Sequence, residues 1–301
     1  MQYVVCNLCG SADTRLRFPS TIPDDTLPRD PGAFRCTYSG YGRHHTIAQC
    51  THCGLVYANP RLDGSDILES YVAVEDPLYQ EEREGRVLTF ERHLRPLERL
   101  KPPPGRLLDV GAYTGVFVEI AARHGWDAVG LEPSHWAVQE ALNQGLPMID
   151  GTLESADLPR AWYDVITLWD VIEHLTDPHA AIRRCHSLLK PGGLLVLHTM
   201  DIDSPFARLM GARWPWLMEM HIYFFSRRTL TAMLEKAGFR VVDAKPQGRY
   251  LRLGYFATRV GGLLGQPAGR VMGRLIHALR LSQVPISINL GDLFTAFALK
   301  E

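Results

Sequence analysis

Four of the six cysteines come as two C-x-x-C pairs, Cys6/Cys9 in CNLCG and Cys50/Cys53 in CTHCG. Thiolates at that spacing grip one metal ion from one turn, and two such turns complete a tetrahedral site. A glycine follows each pair and lets the backbone fold around sulfur. Cys6, Cys9, Cys50 and Cys53 are therefore expected to hold one structural Zn2+, since four thiolates leave no open position for a substrate. The alternative is two unrelated pairs of reduced thiols. Cys36, His44, His45 and His52 are spare ligand candidates or ordinary polar and core residues.

A second set of candidates lies in LLDVGAYTG, Leu107 to Gly115. An apolar strand runs into Asp109 and then a glycine-containing turn, where a helix N-terminus offers free N–H groups and positive dipole character. Glu132 ends the next apolar run, at about the distance where an acidic residue accepts from a ribose diol. One short glycine pattern is weak evidence by itself. Two histidines can take a proton near neutral pH, His174 in DVIEHL and His221 in MEMHIYFFS. Both follow strands at the edge where α/β proteins bind ligands.

The elements that must position these residues follow from periodicity. The chain has 301 residues, 46% of them hydrophobic, and a net charge of -1. That suits a buried core and gives no overall pull toward nucleic acid or anionic lipid. With no secretory signal and no long apolar run, a soluble, cytoplasmic protein is expected. Residues 1–60 are loop-rich and need a staple. Residues 61–105 read as a helical connector, with Val87, Phe90, Leu94 and Leu97 on one face until KPPPG stops the helix. Residues 106–301 alternate strand and helix, which implies a parallel sheet covered by helices. Ser134 can cap one of these helices, and LKPGG reads as a turn before the strand LLVLHTM. An insert of about 248–290 precedes the last strand, LFTAFALK.

The ordered set LLDVGAYTG, GLEPS, DGTLESADLP, YDVITLWDVIEHLTDP and LLKPGGLLVLHT resembles the class I S-adenosylmethionine-dependent methyltransferases. The later HIYFFSRRTLTAMLEKAGF is similar to that family too. The resemblance implies a Rossmann-like seven-stranded sheet with an antiparallel last strand, Leu293 to Lys300. It implies that Asp109 and the turn Gly111, Ala112, Tyr113 and Gly115 hold the methionine part of the cofactor. Glu132, with Pro133 beside it, would take the ribose, Thr152 and Leu153 would flank adenine, and Trp169 and Asp170 would line the methyl-transfer mouth. The family's turn has three small positions, and the middle one here is Tyr113. A tyrosine is tolerable there if its ring points outward or forms a pocket wall; otherwise the chain is a non-catalytic cofactor binder.

The knuckles and GLVYANPR, with the later core, resemble bacterial methyltransferases of sugar and glycan pathways, which implies a small-molecule or glycan acceptor methylated on oxygen or carbon. The general base would be His221, with Glu219 or Tyr223 in support, and His174 secondary or merely shaping its loop. Tyr71 and Tyr79 could close over the site. An RNA methyltransferase is the competing reading, but no dense basic and aromatic stripe supports it. In the insert, Val271, Leu275 and Leu279 recur at helical spacing beside Arg270 and Arg274. This fits a lid or homodimer element, or peripheral membrane contact.

Overall fold

The computed structural model describes residues 1–22, 33–38, 40–76 and 78–301. The N-terminal strands are β1 (Thr14–Phe18), β2 (Ile47–Cys50) and β3 (Val56–Ala58). Three helices follow: α1 (Gly64–Val72), α2 (Leu78–Glu81) and α3 (Arg83–Leu100). Leu94 and Leu97 of α3 are fully buried against the main sheet's core, with Val87 and Phe90 packed beside them. Burial of each leucine contributes about 1.5–3 kcal/mol.

The central layer then alternates as its sequence pattern requires. It runs β4 (Arg106–Val110), α4 (Val116–Arg123), β5 (Asp127–Glu132), α5 (His135–Asn143), β6 (Met148–Asp150), β7 (Tyr163–Trp169), α6 (Pro178–Leu188) and β8 (Leu189–Met200). Ser134 does cap α5, accepting from the Ala137 N–H. Next come α7 (Pro205–Met210), β9 (Tyr223–Phe224), α8 (Arg227–Lys236) and β10 (Phe239–Pro246). The insert holds β11 (Arg249–Arg252), α9 (Leu253–Leu264), α10 (Gln266–Ala278) and β12 (Pro285–Ile288), and β13 (Leu293–Lys300) closes the fold.

The main sheet has seven strands in the order β10-β13-β8-β7-β4-β5-β6. Its first five strands in sequence are parallel, and β13 runs antiparallel to both β8 and β10. Strand order reverses between β4 and β7, which opens a crevice at their C-terminal ends. Asp109 and Glu132 end two strands on one side of that switch point, and Trp169 and His198 end two on the other.

One expectation changes. LKPGG is not a separate turn: it lies within the extended run of β8, where the pairing slips from Tyr163↔Leu189 to Val165↔Leu194. The extra residues bulge out, with Gly192 at φ 68° and Lys190 paired to Asp164 at 2.7 Å. The N-terminal segment, which needs a staple, is also tied to the rest of the chain. β3 pairs with β9, so the second sheet, β1-β2-β3-β9, takes its last strand from the methyltransferase-like region. Lys236 of α8 also donates to the Leu8 carbonyl, at 2.6 Å.

β11 and β12 form a hairpin that packs on α3, and α9 and α10 extend from it. Val271, Leu275 and Leu279 of the insert are 59–67% exposed. Between Asp243 and Asp292 the chain carries seven Lys or Arg and no carboxylate. Among the described residues, no helix is long and apolar enough to cross a membrane.

Candidate active site

The turn after β4 is built around backbone that favours glycine. Gly111 and Gly115 have φ of 71° and 74°. A Cβ at Gly111 would lie 2.4 Å from Val171, and one at Gly115 would lie 2.7 Å from Leu146. Tyr113 between them is also left-handed, at φ 49°, which costs about 1–2 kcal/mol for a residue with a side chain. Its ring packs edge-on to Tyr79 at 4.3 Å and lies 5.9 Å from Trp136. Aromatic contacts of this kind are worth about 0.5–1.5 kcal/mol each beyond area burial, enough to offset much of the strain. The tyrosine thus forms part of a wall and leaves its backbone N–H free to act.

That N–H donates to Glu132 Oε2 at 2.9 Å, and the Ser134 N–H donates to Oε1 at 2.9 Å. Each oxygen keeps a further lone pair, so the carboxylate can accept from two neighbouring hydroxyls. Burial pushes Glu132 up to about 7, against the pull of those two backbone bonds. Asp109 accepts from the Thr167 hydroxyl at 2.6 Å, and burial pushes it up to about 8. A buried two-oxygen acceptor beside a left-handed turn, with Thr152 and Leu153 lining the same space, fits an adenosyl group.

Across the crevice lie the two histidines. The His221 Nδ1–H donates to the Trp216 carbonyl at 2.7 Å, so its Nε2 carries the lone pair. The rings of His174 and His221 are 4.8 Å apart. His174 Nδ1 is 2.9 Å from the Met220 carbonyl and 2.5 Å from the Tyr71 hydroxyl. Burial, then His174, holds His221 down to about 3. Neither expected supporter reaches His221: Glu219 is tied to Arg43 at 3.0 Å, and the Tyr223 hydroxyl accepts from Arg61 at 2.9 Å. Backbone does that work instead. Glu173, absent from the sequence-based candidates, accepts from the Thr199 hydroxyl at 2.9 Å. One ligand atom each from Glu173, His174 and His221 lie within 4.8 Å of one another, so the group could hold a divalent cation.

One cavity of about 850 Å³ joins these corners. It is lined by Asp109, Gly111, Ala112, Tyr113, Glu132, Pro133, Thr152, Leu153, Trp169, Asp170, His174 and His221. Gly115 alone of the expected site residues lies behind it, packed on Ala141 and Leu146. Tyr71 and Tyr79 do line the space, and Tyr255 and Phe256 of α9 bring the insert to it. Sequence reasoning missed His93, His198 and Arg249, which also line it. His198 had a signal, since it ends a parallel strand. His93 on a helix before the sheet and Arg249 in the insert had none.

The cysteines form a separate cluster. Cys6 and Cys53 sulfurs are 3.4 Å apart, Cys9 and Cys50 3.5 Å, and all four lie within 4.8 Å of one another. A tetrahedron of Zn–S bonds of about 2.3 Å puts its sulfurs about 3.8 Å apart, so the cluster is of the right size. Gly10 and Gly54, at φ 79° and 81°, donate to the Cys6 and Cys50 carbonyls and close each knuckle.

Residues 79–244 match the family model described as a methyltransferase domain, which is more than half of the chain. The chain belongs to that family. It is a class I S-adenosylmethionine-dependent methyltransferase. The ubiquinone biosynthesis O-methyltransferase of Cereibacter sphaeroides is 36% identical over 153 residues, 46% of this chain and 62% of that protein. That of Bradyrhizobium sp. is 35% identical over 125 residues, 40% of this chain and 48% of the relative. The match thus spans only about half of those relatives' length. Their names carry ubiquinone, not a sugar or glycan. A solved methyltransferase from Archaeoglobus fulgidus shares the fold with a TM-score of 0.51 at 19% identity, covering 75% of this chain and 100% of its own. One from Thermotoga maritima gives 0.50 at 21%, covering 73% and 91%. These likenesses show the methyltransferase fold, including the seven-stranded sheet with its antiparallel final strand.

Proposed function

We propose that this methyltransferase methylates a hydroxyl on a small, largely apolar molecule, with His221 as general base, and that its four N-terminal cysteines hold one structural zinc ion. The observation that supports it most is the single cavity joining Glu132 and the glycine turn to His174 and His221, walled by apolar and aromatic side chains such as Phe34, Ile67, Phe90, Trp169 and Trp216. When bound, S-adenosylmethionine would supply the methyl group, the hydroxyl oxygen bonding to its carbon as the carbon–sulfur bond breaks and the thioether leaves.

The chain's own residues do the rest. Glu132 and the backbone of Tyr113 fix the adenosyl end, and the walls exclude water and hold the acceptor at short range. His221 Nε2 takes the proton, because Nδ1 is committed to Trp216. An imidazole held neutral down to about 3 is a weak base. It is better matched to a phenol, with a pKa of about 10, than to an aliphatic or sugar hydroxyl. The relatives' named role in ubiquinone biosynthesis agrees with an apolar acceptor.

The test is a panel of phenols, catechols, sugars, nucleotide sugars and amines, incubated with cofactor and read by mass spectrometry for one added methyl group. Methylated phenols or catechols are expected. His221→Ala should bind cofactor normally and lose roughly 100-fold in kcat. Methylation confined to sugars, or to amines, would overturn the acceptor assignment. Near-normal turnover by His221→Ala would overturn the base.

A further inference from the structure

The cavity holds further polar groups besides Glu132 and the His174–His221 pair. His93 of α3, Trp169 and Asp170 after β7, His198 at the end of β8 and Arg249 of β11 meet there. His93 and His198 are each 2% exposed, and their rings are 4.8 Å apart. His93 Nε2 lies 3.0 Å from the Gly248 carbonyl. Only an N–H satisfies that oxygen, so His93 Nδ1 carries a lone pair. His198 Nδ1 lies 2.9 Å from the Thr295 hydroxyl of β13, which can donate to it and so leave the N–H on His198 Nε2. The nearest charge agrees: an Asp170 carboxylate oxygen lies 3.8 Å from that Nε2.

Four buried atoms in this corner have no hydrogen-bond partner among the described residues: His93 Nδ1, His198 Nε2, Trp169 Nε1 and Arg249 Nε. Leaving a buried polar atom unsatisfied is costly, so something polar is expected to meet them. The lone pair of His93 and the N–H groups of His198 and Trp169 together complement a hydroxyl, which both donates and accepts, while the Arg249 guanidinium is already paired with Asp170 at 3.2 Å. Burial holds His198 at about 4 and His93 well below its usual value, so both rings are neutral at physiological pH. Neutral rings suit a neutral ligand group. The adjacent walls are flat and aromatic, with Phe90 and Trp169 centroids 6.0 Å apart.

We propose that His93, His198 and Trp169 form a subsite that recognises a second hydroxyl on an aromatic acceptor of the phenol class, not the hydroxyl whose proton passes to His221. That second O–H donates to His93 Nδ1, and its oxygen accepts from His198 Nε2–H and Trp169 Nε1–H. The inference deepens the function proposed above, but it is tested by binding and not by turnover.

Phenol and toluene, nearly equal in shape, are the probes, titrated into the full chain by calorimetry and by NMR of protein with 15N-labelled imidazoles. Phenol should bind at least about tenfold more tightly than toluene and move the His93 Nδ1 resonance. His198→Phe and His93→Phe should each cut that preference to under about threefold while toluene still binds. Where His93→Phe does not fold, His198→Gln and the wild-type ring-nitrogen shift decide. Equal binding of the two probes, a preference that survives the His198 substitution, or a corner that retains only water in the presence of phenol would overturn the subsite. A phenol preference without methyl transfer to any panel member would overturn the proposed function and leave the subsite standing. Transfer to phenols without a binding preference would overturn the subsite alone.

Discussion

Glu132 is buried, and both of its oxygens are bonded to backbone N–H groups. Its folded pKa lies above the ordinary carboxyl value, at about 7. The stability linked to this shift is therefore complete below about pH 4.5 and lost as pH rises through 7. Acceptance from ribose hydroxyls calls for the carboxylate, so cofactor binding below pH 7 should release a proton. Affinity should rise between about pH 5 and 7, by at most about tenfold per unit, and level off above. Calorimetry in buffers of different ionisation enthalpy reads both effects. Glu132→Gln should lose at least about tenfold in affinity at pH 8, since hydrogen bonds to a charged group are worth about 1.5–3 kcal/mol. It should also lose the rise between pH 5 and 7. Unchanged affinity in a folded variant would displace the ribose from Glu132.

At the scale of elements, the knuckles matter through the sheet they anchor. Cys50 ends β2, β2 pairs with β3, and β3 pairs with β9 through Tyr57↔Tyr223. His221 is two residues before that pairing. Metal loss should therefore loosen the His221 loop while leaving the Glu132 side of the crevice intact. Wild-type protein should carry one zinc per chain by elemental analysis. The double variant Cys50→Ser, Cys53→Ser should lose it, melt several degrees lower, and drop more in kcat than in cofactor affinity. Metal retained in full by that variant would refute the ligand set.

Across the whole molecule, two sets of buried groups oppose each other. Asp109 and Glu132 are pushed up to about 8 and 7, so their contribution to stability is lost as pH rises through those values. His93 and His198 are held below the unfolded value of about 6.5, so theirs is complete above that value and lost as pH falls toward 4. The two opposing effects overlap between about pH 4 and 6.5, and above about pH 6.5 only the carboxyls still act, so melting temperature should fall as pH rises from about 6.5 to 8. A scanning-calorimetry series that climbs steadily to pH 9 would contradict the raised carboxyls.

Local chemistry made much of this legible in the sequence. Alternating apolar strands and capped helices imply the layered sheet, because periodicity and capping are properties of neighbouring residues. The paired C-x-x-C spacing brings sulfurs together within a single turn, and the ordered motifs place Asp109, Glu132 and Trp169 at strand ends and His174 in the loop after β7. Other features depend on residues far apart in the chain. No local pattern joins β3 to β9, couples His93 to His198 across 105 positions, or brings Arg249 within 3.2 Å of Asp170. His221 is held by the Trp216 carbonyl instead of a carboxylate because the fold pairs Glu219 with Arg43, 176 residues away. Burial, which sets whether an imidazole stays neutral and whether a polar atom lacks a partner, is decided by everything packed around the group and so belongs to the tertiary structure alone.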